Sequence, residues 1–102
     1  MDMSMSFAEK RRYERKPFGQ RIKYFLPAFH REKDRIYSYG DSVDISEGGL
    51  GMITHFPLKR GDILFFEPEL TVNGIMAKSS VVRWTKEIDS KYRVGLEFVR
   101  EV

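Results

Sequence analysis

A chain of 102 residues that is 41% hydrophobic and 32% charged has room for one domain and one modest core, and its composition is globular rather than disordered. The net charge of +3 comes from 18 Lys and Arg against 15 Asp and Glu, so charge as a whole excludes little and its placement matters more. There are no cysteines, no apolar run of roughly 18 residues that would span a membrane, and no signal-peptide pattern in MDMSMSFAEK; the expected location is the cytoplasm, without membrane insertion.

Residues 1–9 read as a flexible N-terminal segment, with the domain proper over 10–102. Phe7, Lys10, Arg11 and Glu14 allow at most a weak helical turn or two. Between residues 10 and 23 lie Lys10, Arg11, Arg12, Arg15, Lys16, Arg21 and Lys23 against one acid, Glu14. Such a cluster is either a solvated, flexible basic arm or a surface that meets phosphates or an acidic partner.

From there the chain alternates. RIKYFLPAF predicts a first strand near 20–29, with Pro27 confining it to an edge or a bulge. RIYSYGDSVDI predicts a second, with Ile36, Ser38, Gly40 and Ser42 on one face and Tyr37, Tyr39, Asp41, Val43 and Ile45 on the other; Gly40 suggests a bulge or bend. GLGMIT is a short third strand, and HFPLKRGD a loop. DILFFEPEL and IMAKSSVVRWTKE follow, joined through VNG, where Asn73-Gly74 is the strongest hairpin signal because a type I′ turn needs positive φ at both central positions. After the turn IDSK, the strand YRVGLEF turns Tyr92, Val94, Leu96 and Phe98 inward. About six short strands at intervals of about ten residues predict an antiparallel sandwich or small barrel. No repeat and no second domain is visible.

Catalysis finds little support. His30 and His55 sit in different loops without metal-ligand spacing, so no metal site is expected. Ser46 and Ser79 lie in no nucleophile elbow, Glu67 and Glu69 read as solvated acids, and there is no glycine-rich phosphate loop. No catalytic residue and no cofactor is expected.

Two polar stretches remain. In KRRYERK, Arg11 and Arg15 are four residues apart, and each guanidinium is a rigid donor fork that fits a phosphate or the O6/N7 edge of guanine. In DISEGG, Asp44 can accept from guanine N–H donors, Ser46 can donate to phosphate or accept from an amine, and Gly48 and Gly49 let backbone approach a ligand closely. Taken alone, DISEGG reads as an ordinary turn with an Asx hydrogen bond from Asp44 rather than as a site.

The combination of RxxxR (Arg11, Arg15), a strand pair and DxSxxG (Asp44, Ser46, Gly49) resembles the PilZ domain family, and PLKRGDIL, VVRW and YRVGLEFV extend the resemblance over roughly residues 10 to 99. It implies an all-β fold: a six-stranded antiparallel β-barrel with a flexible basic N-terminal arm, here without the usual long C-terminal helix, since the sequence reads VREV after its last strand. The implied ligand is the bacterial second messenger cyclic di-GMP, one or two copies per chain. Arg11 and Arg15 would hold guanine and phosphate, Asp44 and Ser46 would bond a guanine edge, and Gly49 would set the loop. Lys10, Arg12, Gly48 and Arg83 are further candidate contacts. The signal would pass by ordering of the arm to a downstream protein partner or to the chain's own oligomeric state.

Two other readings stand beside it. One is a ligand-free adaptor that uses the barrel surface for protein contact. The other is a barrel that binds single-stranded nucleic acid through the basic arm with Phe18, Tyr37 and Tyr39. Asp44 argues against the latter, because an acid is misplaced in a phosphate track. Trp84 is read as core or rim packing, with a base-stacking platform as the alternative.

Overall fold

Pro27 ends the first long strand: it has no N–H to give, and the ladder stops at Leu26. The computed structural model describes residues 16–17, 19–27, 35–72 and 74–100, leaving aside the side chains of Lys16, Pro17 and Val72. Lys10, Arg11, Arg12, Arg15, Phe18 and the segment 1–9 lie outside the described residues.

The strands are β1 (Lys16–Pro17), β2 (Arg21–Leu26), β3 (Ile36–Ile45), β4 (Gly49–Thr54), β5 (Ile63–Val72), β6 (Ile75–Ile88) and β7 (Lys91–Phe98). They pair antiparallel in the order β1-β3-β2-β5-β6-β7-β4, and β4 returns to pair with β3. That pairing closes the sheet, so the six long strands form the expected six-stranded antiparallel barrel, with β1 laid against β3 beyond the end of β2. Among the described residues there is no helix, and hence none long and apolar enough to cross a membrane.

Alternation fills the interior. Ile22 and Tyr24 from β2, Leu50 and Met52 from β4, Leu64, Phe66 and Leu70 from β5, Ala77 and Val82 from β6, and Val94, Leu96 and Phe98 from β7 form one buried cluster with Ile45 and Leu58. Removing these side chains from water is the main term holding the barrel shut. The Tyr24 hydroxyl lies 2.6 Å from Thr54 Oγ1, which itself donates to the Tyr39 carbonyl at 3.1 Å. Since the threonine proton is committed to Tyr39, Tyr24 is the donor to Thr54 and its buried hydroxyl is satisfied.

The hairpin expected at VNG is present. Val72 and Ile75 pair across the expected hairpin, with Gly74 at φ 82°, while Asn73 lies outside the described residues. In the next turn the two central residues, Asp89 (φ 49°) and Ser90 (φ 67°), are both left-handed and close β6 onto β7. Asp tolerates that region through local side-chain hydrogen bonding, which IDSK signals less strongly than Asn-Gly. β6 runs on past the end of its pairing with β5, and residues 83–91 are all exposed.

A difference from the sequence expectation concerns β3. Gly40 marks no register shift; a Cβ there would overlap the side chain of Met52, so glycine is needed for close packing. The shift lies between Ser42 and Asp44, where β3 carries one residue more than β4. A bulge flips the pleat. Gly40 and Ser42 are buried, and so is Ile45, whereas unbroken alternation would put Ile45 outside with Tyr37, Tyr39 and Asp41. The same flip turns Asp44 outward.

Candidate functional site

Because β3 extends to Ile45 and β4 begins at Gly49, Asp44 belongs to a strand and the turn proper is only Ser46 to Gly48. The Ser46 N–H donates to the Gly49 carbonyl at 2.9 Å, and the Gly48 N–H donates to Ser46 Oγ at 3.3 Å. Serine thus caps its own turn through its side chain. Its hydroxyl proton has no acceptor among the described residues, and Ser46 is 6% exposed. The turn is also tied to β7: the Phe98 N–H donates to the Gly48 carbonyl at 2.9 Å. At Gly49 a Cβ would overlap the Leu96 carbonyl oxygen, a backbone atom that cannot retreat without breaking the ladder. Glycine is dictated here by packing, with or without a ligand.

Asp44 opens a row that crosses the outer wall. It pairs with Gly51, Gly51 with Gly95, and Gly95 with Trp84. A Cβ on Gly51 would come 2.7 Å from Asp44 Oδ1, and a Cβ on Gly95 would overlap the Trp84 indole. The carboxylate therefore covers one glycine and the indole the next. Paired positions on neighbouring antiparallel strands hold their Cβ atoms about 5 Å apart, so acid and ring are neighbours on a surface otherwise bare of side chains. Trp84 is neither core nor rim: it lies on the outer wall, 46% exposed. Neither glycine was singled out in the sequence reading, because only cross-strand register brings them into one row.

One rung further along, Arg83 Nε donates to Glu97 Oε1, and Glu97 pairs with Gly49. Both side chains are more than half exposed, so the ion pair adds little to stability. It does fix a guanidinium beside the turn.

Along its other edge β3 receives the chain that arrives from the N-terminus. Lys16 pairs with Ile45 and Pro17 with Asp44. The strand carrying Asp44 is thus flanked by the glycine row on one side and on the other by the residues that directly follow Arg15. Of the residues singled out from the sequence, Asp44, Ser46, Gly48, Gly49 and Arg83 gather at one end of the outer wall. Lys10, Arg11, Arg12 and Arg15 lie outside the described residues.

Elsewhere the surface carries an aromatic ladder in which Arg21 sits 4.9 Å from the Tyr39 ring centre, Lys23 4.7 Å from Tyr37, and Arg35 4.4 Å from Phe25. An open groove of about 570 Å³ runs past Glu47, Glu69, Met76, Lys78 and Arg100. Among the described residues no group of His, Asp and Glu is arranged to hold a metal ion.

Comparison with known proteins bears on the fold. The PilZ domain model matches residues 9–102. No curated protein matches the sequence. Among solved structures the fold is similar to YcgR from Escherichia coli in complex with cyclic di-GMP, with a TM-score of 0.59 and 16% identity over 88% of this chain and 38% of that one. It is similar to the Bacillus subtilis inhibitor of motility, MotI/DgrA, with a TM-score of 0.55 and 19% identity over 91% and 44%. It is also similar to K. pneumonia MrkH in complex with cyclic di-GMP, with a TM-score of 0.52 and 18% identity over 90% and 45%. The chain thus spans less than half the length of each of these proteins.

Proposed function

The chain belongs to the PilZ domain family, and on that premise we propose that it binds cyclic di-GMP through the RxxxR arm and the DxSxxG turn, as a receptor rather than an enzyme. Members of the family are cyclic di-GMP receptors, typically non-catalytic. The observation that carries the reading for this chain is the pairing of Lys16–Pro17 with Asp44 and Ile45. Lys16, which follows Arg15 in the sequence, is paired beside the turn.

In this reading the two halves divide the labour by chemistry. Asp44, turned outward by the bulge, accepts from the N–H edge of a guanine, which arginine and lysine cannot do. Ser46 offers its uncommitted proton to the same base or to a phosphate. Arg11 and Arg15 supply paired donor forks to guanine and phosphate, with Lys10, Arg12 and Gly48 adjoining. Arg83 reaches phosphate only by exchanging Glu97 for it. Ligand binding orders the arm along β3 and so changes the surface offered to a downstream protein or to a second copy of the chain. One or two ligand copies are bound per chain.

Titration calorimetry with cyclic di-GMP tests this. Wild-type protein binds stoichiometrically with micromolar or tighter affinity, while Arg15→Ala and Asp44→Ala each lose about 100-fold, or about 2.7 kcal/mol. GMP and the linear dinucleotide compete poorly. A flat thermogram from folded protein overturns the reading and favours the ligand-free adaptor. The nucleic-acid reading has less behind it, since a base stacking on Tyr37 or Tyr39 competes with Lys23 and Arg21 for the rings.

A further inference from the structure

Between Pro17 and Gln20 the incoming chain takes three steps, while β3 takes two, from Asp44 to Ser42. On its other edge β3 takes the same two steps against a single step of β4, from Gly51 to Met52. Register shifts on both edges of β3 therefore meet at one place, beside the proposed ligand residues, where ordinary ladder bonding lapses.

Ser42 spans the lapse. Its backbone N–H donates to the Gln20 carbonyl at 2.9 Å, its hydroxyl donates to that carbonyl at 2.8 Å, and the hydroxyl accepts the Gln20 N–H at 2.8 Å. One side chain so stands in for the second half of a backbone pair. It is 6% exposed, so water does not compete freely for these bonds. A Cβ on Gly19 would meet nothing within 4 Å, so the backbone at that residue is not packed against a neighbour on that side. Without the hydroxyl, the Gln20 N–H loses its acceptor and only the Ser42 N–H to Gln20 carbonyl bond remains of this pair, so the seam beside Lys16 and Pro17 loosens.

We infer that Ser42 is a positioning residue for the ligand site, whose hydroxyl pins Gln20 and thereby helps fix the register in which Lys16 and Pro17 pair beside Asp44. The inference rests on the receptor reading above, in that its effect on affinity needs a ligand. It assigns Ser42 no ligand contact. An alanine at 42 keeps the packing but leaves the Gln20 N–H without its acceptor.

Two measurements separate this inference from the reading it rests on. In cyclic di-GMP titrations, Ser42→Ala weakens binding about tenfold, and Ser42→Thr, which keeps a hydroxyl, recovers most of the loss. In an Arg15→Lys background, where the arm's grip is already weakened, Ser42→Ala costs much less, because coupled residues are not additive. The same fold-loss in both backgrounds overturns the positioning role. Amide hydrogen exchange on unliganded protein gives the second test: Ser42→Ala speeds exchange at Gln20 and leaves Leu64, Val82 and Leu96 unchanged. Unaltered exchange at Gln20 overturns the clamp. If wild-type protein binds no cyclic di-GMP, the receptor reading falls, and the clamp stands or falls on Gln20 exchange alone.

Discussion

Besides β3 and β4, which the proposed ligand turn joins, β7 and β1 run beside it, and they are held in opposite ways. β7 is paired along its length to β6 on one side and to β4 on the other. β1 is paired to β3 through Lys16 and Pro17, with the Gln20–Ser42 stitch just beyond. The turn of DISEGG belongs to the first kind of structure, anchored by the Phe98 N–H on the Gly48 carbonyl and by the tight seat of Gly49 on Leu96. Arg11 and Arg15 lead into the second. Asp44 stands where the two meet. A fixed half can hold a base edge in place while a loosely stitched half responds to what is bound, and a short edge pairing with few bonds is where local opening costs least.

The sharpest way to break the fixed half is Gly49→Ala. A methyl group there must displace a backbone carbonyl, so the barrel loses about 3 kcal/mol, read as a fall of about 12 °C or more in the thermal midpoint. Ligand binding fails with it. Thr54→Val breaks the same half away from the site. The buried Tyr24 hydroxyl then loses its acceptor, and the cost is about 2 kcal/mol. Cyclic di-GMP affinity, measured below the new midpoint, stays within about twofold of wild type, because the network lies away from the Asp44 row. The smallest effect belongs to Ser80→Ala. Ser80 is fully buried and its hydroxyl has no hydrogen-bond partner among the described residues. Removing it leaves stability within about 1 kcal/mol of wild type or raises it, in chemical denaturation. The contrast with Ser42→Ala and Ser46→Ala is the useful one: three buried serines, of which only those bonded beside the turn affect binding.

Much of this was legible in the sequence, and the exceptions share one cause. Period-two alternation locates the long strands, because each strand shows one face to a single core. The DISEGG and KRRYERK stretches were legible as residue types suited to a nucleotide. Alternation within one strand says nothing about register with the next. For that reason Gly40 suggested a bulge that lies instead between Ser42 and Asp44, and Ile45 was grouped with the outward tyrosines although it is buried. The same holds for the glycine row. Gly51 and Gly95 are far apart in sequence and become one surface only through pairing, which is also what takes Trp84 from an expected core or rim position to the outer wall. Ser42 escaped notice because its partner, Gln20, lies across a bulge rather than at a motif position.

The division into a fixed turn and a responsive seam is tested most directly by amide hydrogen exchange with and without saturating cyclic di-GMP. The account predicts slower exchange on ligand addition across residues 10–20 and at the facing amides of β3, with β5, β6 and the rest of the barrel wall unchanged. Protection spread evenly over the barrel, or none in residues 10–20 despite bound ligand, contradicts it.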